Sequence, residues 1–328
     1  MRLIKRLLRL IALLSLLGAV AMGYYAMRPM PLPAQPLAFS LTQGSSLTSA
    51  ARQMRQAGLL SNDGVFVWLA RMLRKSTSIK AGNYQLENPV TPLELINIIT
   101  KGQVMQEKLV IIEGWTFSQL HMALNDNPAI LHDTAELSKT EILQRLNVPE
   151  EHPEGLFFPD TYYYINGTSD LALLKRAYQT MQTHLQKSWE GRAADLPLKS
   201  PYEALILASI VEKETGQVAD RSMISAVFIN RLRKGMMLQT DPTVIYGVGQ
   251  KFDGNLRTRD LLTDTPYNTY IRNGLPPTPI ALPGLASLHA TLHPEPSNAL
   301  YFVSRGDGSS EFSETLTQHN RAVNRYQK

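Results

Sequence analysis

Leu207-Ala208-Ser209-Ile210-Val211-Glu212-Lys213-Glu214-Thr215-Gly216 is the stretch on which the reading of this chain turns. It sets a carboxyl group among apolar residues close to where a helix should end. Upstream, Ser200-Pro201-Tyr202-Glu203 has the pattern of a helix start, with Ser at the N-cap, Pro at the first helical position and Glu three residues after the cap. Gly216 is the expected stop, because glycine takes the left-handed conformation that ends many helices. At about 100° per residue, Leu207, Ile210 and Glu214 share one face, flanked by Ala204 and Val211. On the same wheel Glu212 projects about 160° away from Glu214, and Lys213 also points away. The pattern therefore predicts that Glu214 is the inward glutamate. Desolvation and the negative pole of the helix both disfavour its ionised form. A carboxyl held partly protonated near neutral pH is a candidate general acid. The plain alternative is a glutamate paired with an arginine or lying in a solvated last turn.

The charge is unevenly placed. The chain has 328 residues and a formal net charge of +5, yet Arg2, Lys5, Arg6, Arg9 and Arg28 precede any acid. Without these five, 28 of the 33 basic residues remain against 28 acidic ones. The folded part is thus formally neutral and offers no global footprint for nucleic acid. No charged residue lies between Leu10 and Met27, a length of about 27 Å at helical rise. Basic residues before it and Tyr24 and Tyr25 near its end predict a membrane-spanning helix with its N-terminus cytoplasmic. A cleaved signal peptide is the alternative, since Gly18 to Met22 supplies small residues. The long, Leu-rich apolar centre favours an uncleaved anchor. The absence of cysteine fits an exported chain and excludes thiol catalysis and cysteine-ligated metal.

Residues 1–28 are therefore expected to be a basic tip and anchor, and the Pro-rich residues 29–37 an extended spacer off the membrane. Residues 38–105 have the pattern of a small α+β module: a strand at 38–41, helices at 47–58 and 63–74, an extended piece at 82–86, and a helix at 91–101 opened by the capping pattern Thr91-Pro92-Leu93-Glu94. Residues 106–328 begin with a strand at 110–112 and are mainly helical, interrupted by an aromatic loop at 154–166. After the Glu214 helix come a helix at 218–234, a polar loop region at 236–280, a helix near 284–292 and a strand at 300–303.

Three segments combine amides, hydroxyls and carboxylates with aromatic rings, a mixture suited to a sugar polymer. They are Glu154-Gly155-Leu156-Phe157-Phe158-Pro159-Asp160-Thr161-Tyr162-Tyr163-Tyr164, Leu238-Gln239-Thr240-Asp241-Pro242-Thr243-Val244-Ile245-Tyr246-Gly247, and Tyr267-Asn268-Thr269-Tyr270. Each alone has an ordinary explanation, as turn formers or as tyrosines packed with a wet hydroxyl. Taken with Glu113-Gly114-Trp115, Ala208-Ser209-Ile210-Val211-Glu212-Lys213-Glu214-Thr215 and Val227-Phe228-Ile229-Asn230-Arg231-Leu232, they appear in one order along residues 106–328. Over essentially that whole length the chain resembles the endolytic murein transglycosylases of the YceG-like family.

The resemblance implies a layout of single-pass inner-membrane anchor, LysM-like α+β subdomain at 38–105, and a larger, mainly helical, lysozyme-like catalytic domain with polar loops and short strands at 106–328. It implies that Glu214 is the catalytic glutamate and that the domain lies in the periplasm. It further implies cleavage of the β-1,4 bond between N-acetylmuramic acid and N-acetylglucosamine within glycan strands, leaving 1,6-anhydro ends. Peptidoglycan strands are then the substrate, and penicillin-binding peptidoglycan synthases are candidate partners. Gln239, Thr240, Asp241, Tyr246, Asn268 and Tyr270 are expected to line the groove and orient the sugar. A hydrolase using Glu214 with Asp241 is one alternative, and a non-catalytic glycan-binding anchor is another. His289 and His293 are four apart, but they lack an intervening Glu and a third ligand, and His293 precedes a proline. No metal or other cofactor is expected.

Overall fold

The computed structural model describes residues 2–42, 44–102 and 106–327. The expected domain boundary between 105 and 106 falls next to residues 103–105, outside the described ones. The chain is mixed α+β and about half helical. It divides into two compact units, one of Met1–Glu107 with Tyr163–Gly167 and the other of Lys108–Tyr162 with Thr168–Lys328.

The first unit opens with α1 (Arg2–Met27). Its segment Ile4–Met27 is long and apolar enough to cross a membrane. The last turns of this helix do not leave the fold: Met22, Tyr25 and Ala26 pack into the unit's own core. The Pro-rich stretch after it is also docked on this core. Met30 N–H donates to the Val90 carbonyl at 2.9 Å, and Met30 and Leu32 rest on the same core. The core is covered by an antiparallel ribbon of β1 (Leu37–Leu41) and β2 (Gly82–Leu86). Alternate residues of β1 are buried, and Phe39 stacks on its cross-strand neighbour Tyr84 with centroids 5.2 Å apart. Three helices close it: α2 (Leu47–Gln56), α3 (Asp63–Met72) and α4 (Pro92–Lys101). The Thr91–Glu94 capping box forms as its pattern predicts, and Gly102 ends α4 in the left-handed conformation at φ 72°.

From β3 (Glu107–Val110) onward come α5 (Phe117–Asn125), β4 (Ile130–Leu131), α6 (Lys139–Leu146), β5 (Thr161–Tyr164), β6 (Thr168–Ser169) and α7 (Asp170–Glu190). The expected aromatic loop thus contains a strand, β5. Then follow α8 (Pro201–Glu214), α9 (Arg221–Arg233), α10 (Asp241–Val248), α11 (Thr258–Leu261), α12 (Leu285–Leu292), the antiparallel pair β7 (Tyr301–Ser304) and β8 (Ser310–Ser313), and α13 (Leu316–Tyr326).

At the centre of the second unit stands α8, packed against α7, α9, α10 and α12. Every residue from Ala204 to Val211 is buried, Ser209 included. A helix enclosed on all sides has no single apolar face, and this corrects the wheel-based reading of Glu212. That side chain is only 5% exposed, and it pairs with Arg221 at 3.1 Å and accepts the Gly284 N–H at 2.9 Å. Both glutamates point inward, on different sides.

The helix ends differ in detail from their sequence patterns. Ser200 caps α8 by accepting the Glu203 N–H, as expected. The Glu203 carboxylate reaches one residue further back, to the Lys199 N–H at 2.6 Å, so the reciprocal half of the box is displaced. Gly216 is not a left-handed cap. The helix stops at Glu214 because Thr215 is already extended, at φ −146° and ψ 134°, and its hydroxyl accepts the Gln217 N–H at 2.9 Å. The expected polar loop at 236–280 contains two helices, α10 and α11. Pro242 near the N-terminus and an acidic residue in the first turn favour starting α10 there.

Candidate active site

Glu214 is the terminal residue of α8, facing the N-terminus of α10. Its carboxylate accepts a hydrogen bond from the Thr240 hydroxyl. Thr240 is the N-cap residue of α10, yet its side chain makes no capping bond to that helix. The hydroxyl that would ordinarily satisfy an N–H of α10 is directed to Glu214 instead.

A buried network fixes that hydroxyl. Thr240 is 2% exposed. Its N–H donates to the Thr269 hydroxyl at 3.1 Å, and its carbonyl accepts from the Thr243 hydroxyl at 2.7 Å. The Thr243 and Thr269 hydroxyls are themselves 2.8 Å apart. Gln239, at φ 49° in the left-handed region, donates its N–H to the Thr269 carbonyl at 3.0 Å. Arg231 secures the same segment from α9, donating to the carbonyls of Leu238 at 2.8 Å and Leu300 at 2.7 Å.

Electrostatics at the carboxyl favour the protonated form. Burial pushes Glu214 up from its ordinary 4.5 to about 7, and the charge of Asp241 adds to the rise. The Thr240 hydroxyl and the Arg231 guanidinium pull in the other direction without cancelling it. Asp241 is exposed, and one of its oxygens accepts the Tyr270 hydroxyl at 2.5 Å.

Glu214, Arg231, Gln239, Asp241, Tyr270 and Tyr301 line an open cleft of about 570 Å³. Its far wall comes from the β7–β8 hairpin and α13, with His319 stacked on Tyr301 at 5.2 Å. That wall is absent from the sequence-based site, as is Arg231. Arg231 lies within Val227-Phe228-Ile229-Asn230-Arg231-Leu232, but nothing local marks that side chain as tied to residues 237–239.

Two expected groove residues lie elsewhere. Asn268 is fully buried. Its amide donates to the carbonyls of Leu261 at 2.9 Å and Thr263 at 2.7 Å, while its side-chain oxygen accepts the Tyr270 N–H at 2.9 Å. It shapes the loop that carries Tyr270 and has no face toward the cleft. Tyr246 opens onto a second cleft, where its hydroxyl donates to Glu154 at 2.9 Å. His289 and His293 stack at 4.4 Å, and a ring nitrogen of His293 lies 2.9 Å from the Gly191 carbonyl.

Fold and site together define an α+β protein with a membrane-length N-terminal helix and a desolvated carboxyl at a polar cleft. The chain belongs to the YceG-like family, whose family model matches residues 39–325. It is 30% identical over 309 residues to a Bacillus subtilis (strain 168) protein named endolytic murein transglycosylase, covering 88% of this chain and 84% of the relative. A protein of the same name from Streptococcus pneumoniae serotype 2 is 26% identical over 350 residues, covering 95% of this chain. This chain spans 63% of that longer relative. Among solved structures, a crystal structure of a YceG-like protein from Listeria monocytogenes matches with a TM-score of 0.57 and 29% identity, covering 88% of this chain and 98% of that one.

Proposed function

We propose that the protein is a peptidoglycan lytic transglycosylase. It cleaves the β-1,4 bond between N-acetylmuramic acid and N-acetylglucosamine inside glycan strands and leaves a 1,6-anhydro end, terminating or trimming nascent strands. The observation that carries this reading is the Glu214 carboxyl, held near a pKa of about 7 at an open polar cleft. The names of the Bacillus and Streptococcus relatives agree with it.

A group of that acidity can give a proton and take one back at neutral pH. Protonated Glu214 donates to the glycosidic oxygen as the C1–O bond breaks through an oxocarbenium-like state. The resulting carboxylate then removes the proton from the muramic 6-hydroxyl, whose oxygen bonds to C1. One side chain serves both steps because the nucleophile belongs to the substrate. Thr240 acts through Glu214 by stabilising the ionised form. Asp241, Gln239 and Tyr270 orient the sugar from the cleft wall.

The same reading makes residues 38–105 a LysM-like subdomain and 106–328 a lysozyme-like catalytic domain. The basic residues ahead of the apolar helix support an N-terminus in the cytoplasm, an inner-membrane anchor and a periplasmic catalytic domain. Penicillin-binding synthases, which make the strands, are the matching partners. Mass spectrometry of peptidoglycan digested by the full chain tests the reading. Products without added water are expected, and none with Glu214→Gln. Products carrying an added water would instead indicate a hydrolase, for which Asp241 is the candidate second carboxylate.

A further inference from the structure

A second cleft, of about 880 Å³, lies in the same unit and is larger than the one at Glu214. The two share their dividing elements. In α10, Asp241 lines the first cleft while Pro242, Ile245 and Tyr246 line the second. At the end of α8 the division falls between adjacent residues, with Glu214 in the first and Lys213 in the second. A polymer bound across both would pass Glu214 at the seam.

The chemistry of the second cleft differs from that of the first. Its acid, Glu154, is 4% exposed, and both carboxylate oxygens are engaged, by the Phe117 N–H at 2.8 Å and the Tyr246 hydroxyl at 2.9 Å. The charges left facing the open volume are the exposed Lys139 and Lys213, beside the amides of Gln119 and Gln250. Lys213 also donates to the Gly114 carbonyl at 3.3 Å. Lys139 is the first residue of α6, where the positive pole of the helix repels a cation. The helix pole thus disfavours a lysine at that position, while the buried Glu154 carboxyl attracts it. With both Glu154 oxygens already engaged, the ammonium is left to meet an anion from the open side of the cleft.

We infer that the second cleft binds a carboxylate-bearing peptide branch of the polymer whose sugar backbone is cut at Glu214, with Lys139 and Lys213 meeting its carboxylates. This rests on the glycan-cleaving reading above and deepens it: the protein recognises strands that still carry their peptides.

Binding without turnover separates the two ideas. In a Glu214→Gln background, equilibrium binding of peptide-bearing strands and of enzymatically peptide-stripped strands is measured with and without Lys139→Glu. An acid suits the exposed first turn of a helix, but Lys139 also faces the buried Glu154 carboxyl. Thermal melts of each variant therefore accompany the binding, and Lys139→Gln, which adds no like charge there, carries the test if Lys139→Glu folds poorly. Affinity for peptide-bearing strands is expected to fall about tenfold, with the loss shrinking at high salt, while stripped strands bind unchanged. Lys139→Gln should give a smaller loss of the same kind. Equal binding of peptide-bearing strands by all three proteins, or an equal loss on both kinds of strand, would overturn the inference. Product analysis of the unsubstituted enzyme decides the transglycosylase reading separately.

Discussion

The Thr240 hydroxyl donates to the Glu214 carboxylate, not to the helix that Thr240 begins. One N–H of α10 forgoes its usual side-chain partner so that the acid at the end of α8 has a fixed one. Because this bond favours the ionised form, Thr240→Val should raise the Glu214 pKa further. A hydrogen bond to a charged group contributes about 1.5–3 kcal/mol, so the alkaline limb of the activity profile should move up by about 1–2 pH units. Activity at pH 6 and at pH 9 measured on one substrate checks this. An unmoved limb would detach Thr240 from the chemistry.

Activity of the unsubstituted enzyme should fall as pH rises through about 7, since the first step needs protonated Glu214. Asp241→Asn removes a charge that raises the Glu214 pKa, and it should shift that limb downward. If Asp241 only orients the sugar, the variant's products keep their anhydro ends. Their mass is the check.

Glu214 also sets a pH dependence of stability. Its folded pKa of about 7 lies above its ordinary 4.5, so the folded state holds the proton more tightly than the unfolded chain does. Stability from this group is full below about pH 4.5, declines as pH rises toward 7, and is flat above. At 1.36 kcal/mol per unit the loss is about 3 kcal/mol. Glu214→Gln should therefore abolish cleavage and yet be more stable than the unsubstituted chain at pH 8, with the two converging near pH 4. Thermal melts across that range, paired with turnover assays, measure both effects.

On the far side of α8, the Arg221–Glu212 pair is almost wholly enclosed, at 8% and 5% side-chain exposure. Glu113 stands 4.0 Å from the same guanidinium, with burial and the Glu212 charge pushing its carboxyl upward. Removing Arg221 leaves acids without their cation. Arg221→Met should cost about 3–5 kcal/mol in chemical denaturation, and adding Glu212→Gln should recover part of it.

What could be read in the sequence was local. Ser200, Thr91 and Glu94 mark helix starts through bonds spanning three residues and Pro201 through its fixed φ, and those starts appear where the patterns put them. Glu214 was legible because the helix phase and a family string point to the same residue. A helical wheel assumes one solvated face, and α8 has none, so helix phase alone puts Glu212 on the wrong side. Composition alone groups Asn268 and Tyr246 with the cleft. Their side chains are committed instead to the Leu261 and Thr263 carbonyls and to Glu154, partners that only tertiary structure brings near. The division of the polar segments into two clefts depends on where α10 passes, and a stretch read as loop gave no sign of it.

The docking of α1 changes what counts as a soluble form of this protein. Met22, Tyr25 and Ala26 belong to the same helix as the apolar segment, but they are solvated by the first unit's core. A truncation made at the prolines to obtain a detergent-free fragment would remove three side chains from that core and expose the surface they cover. The fragment would be less stable and prone to self-association, for reasons unrelated to catalysis. Cutting a few turns earlier, ahead of Met22, keeps the plug while discarding most of the lipid-facing length.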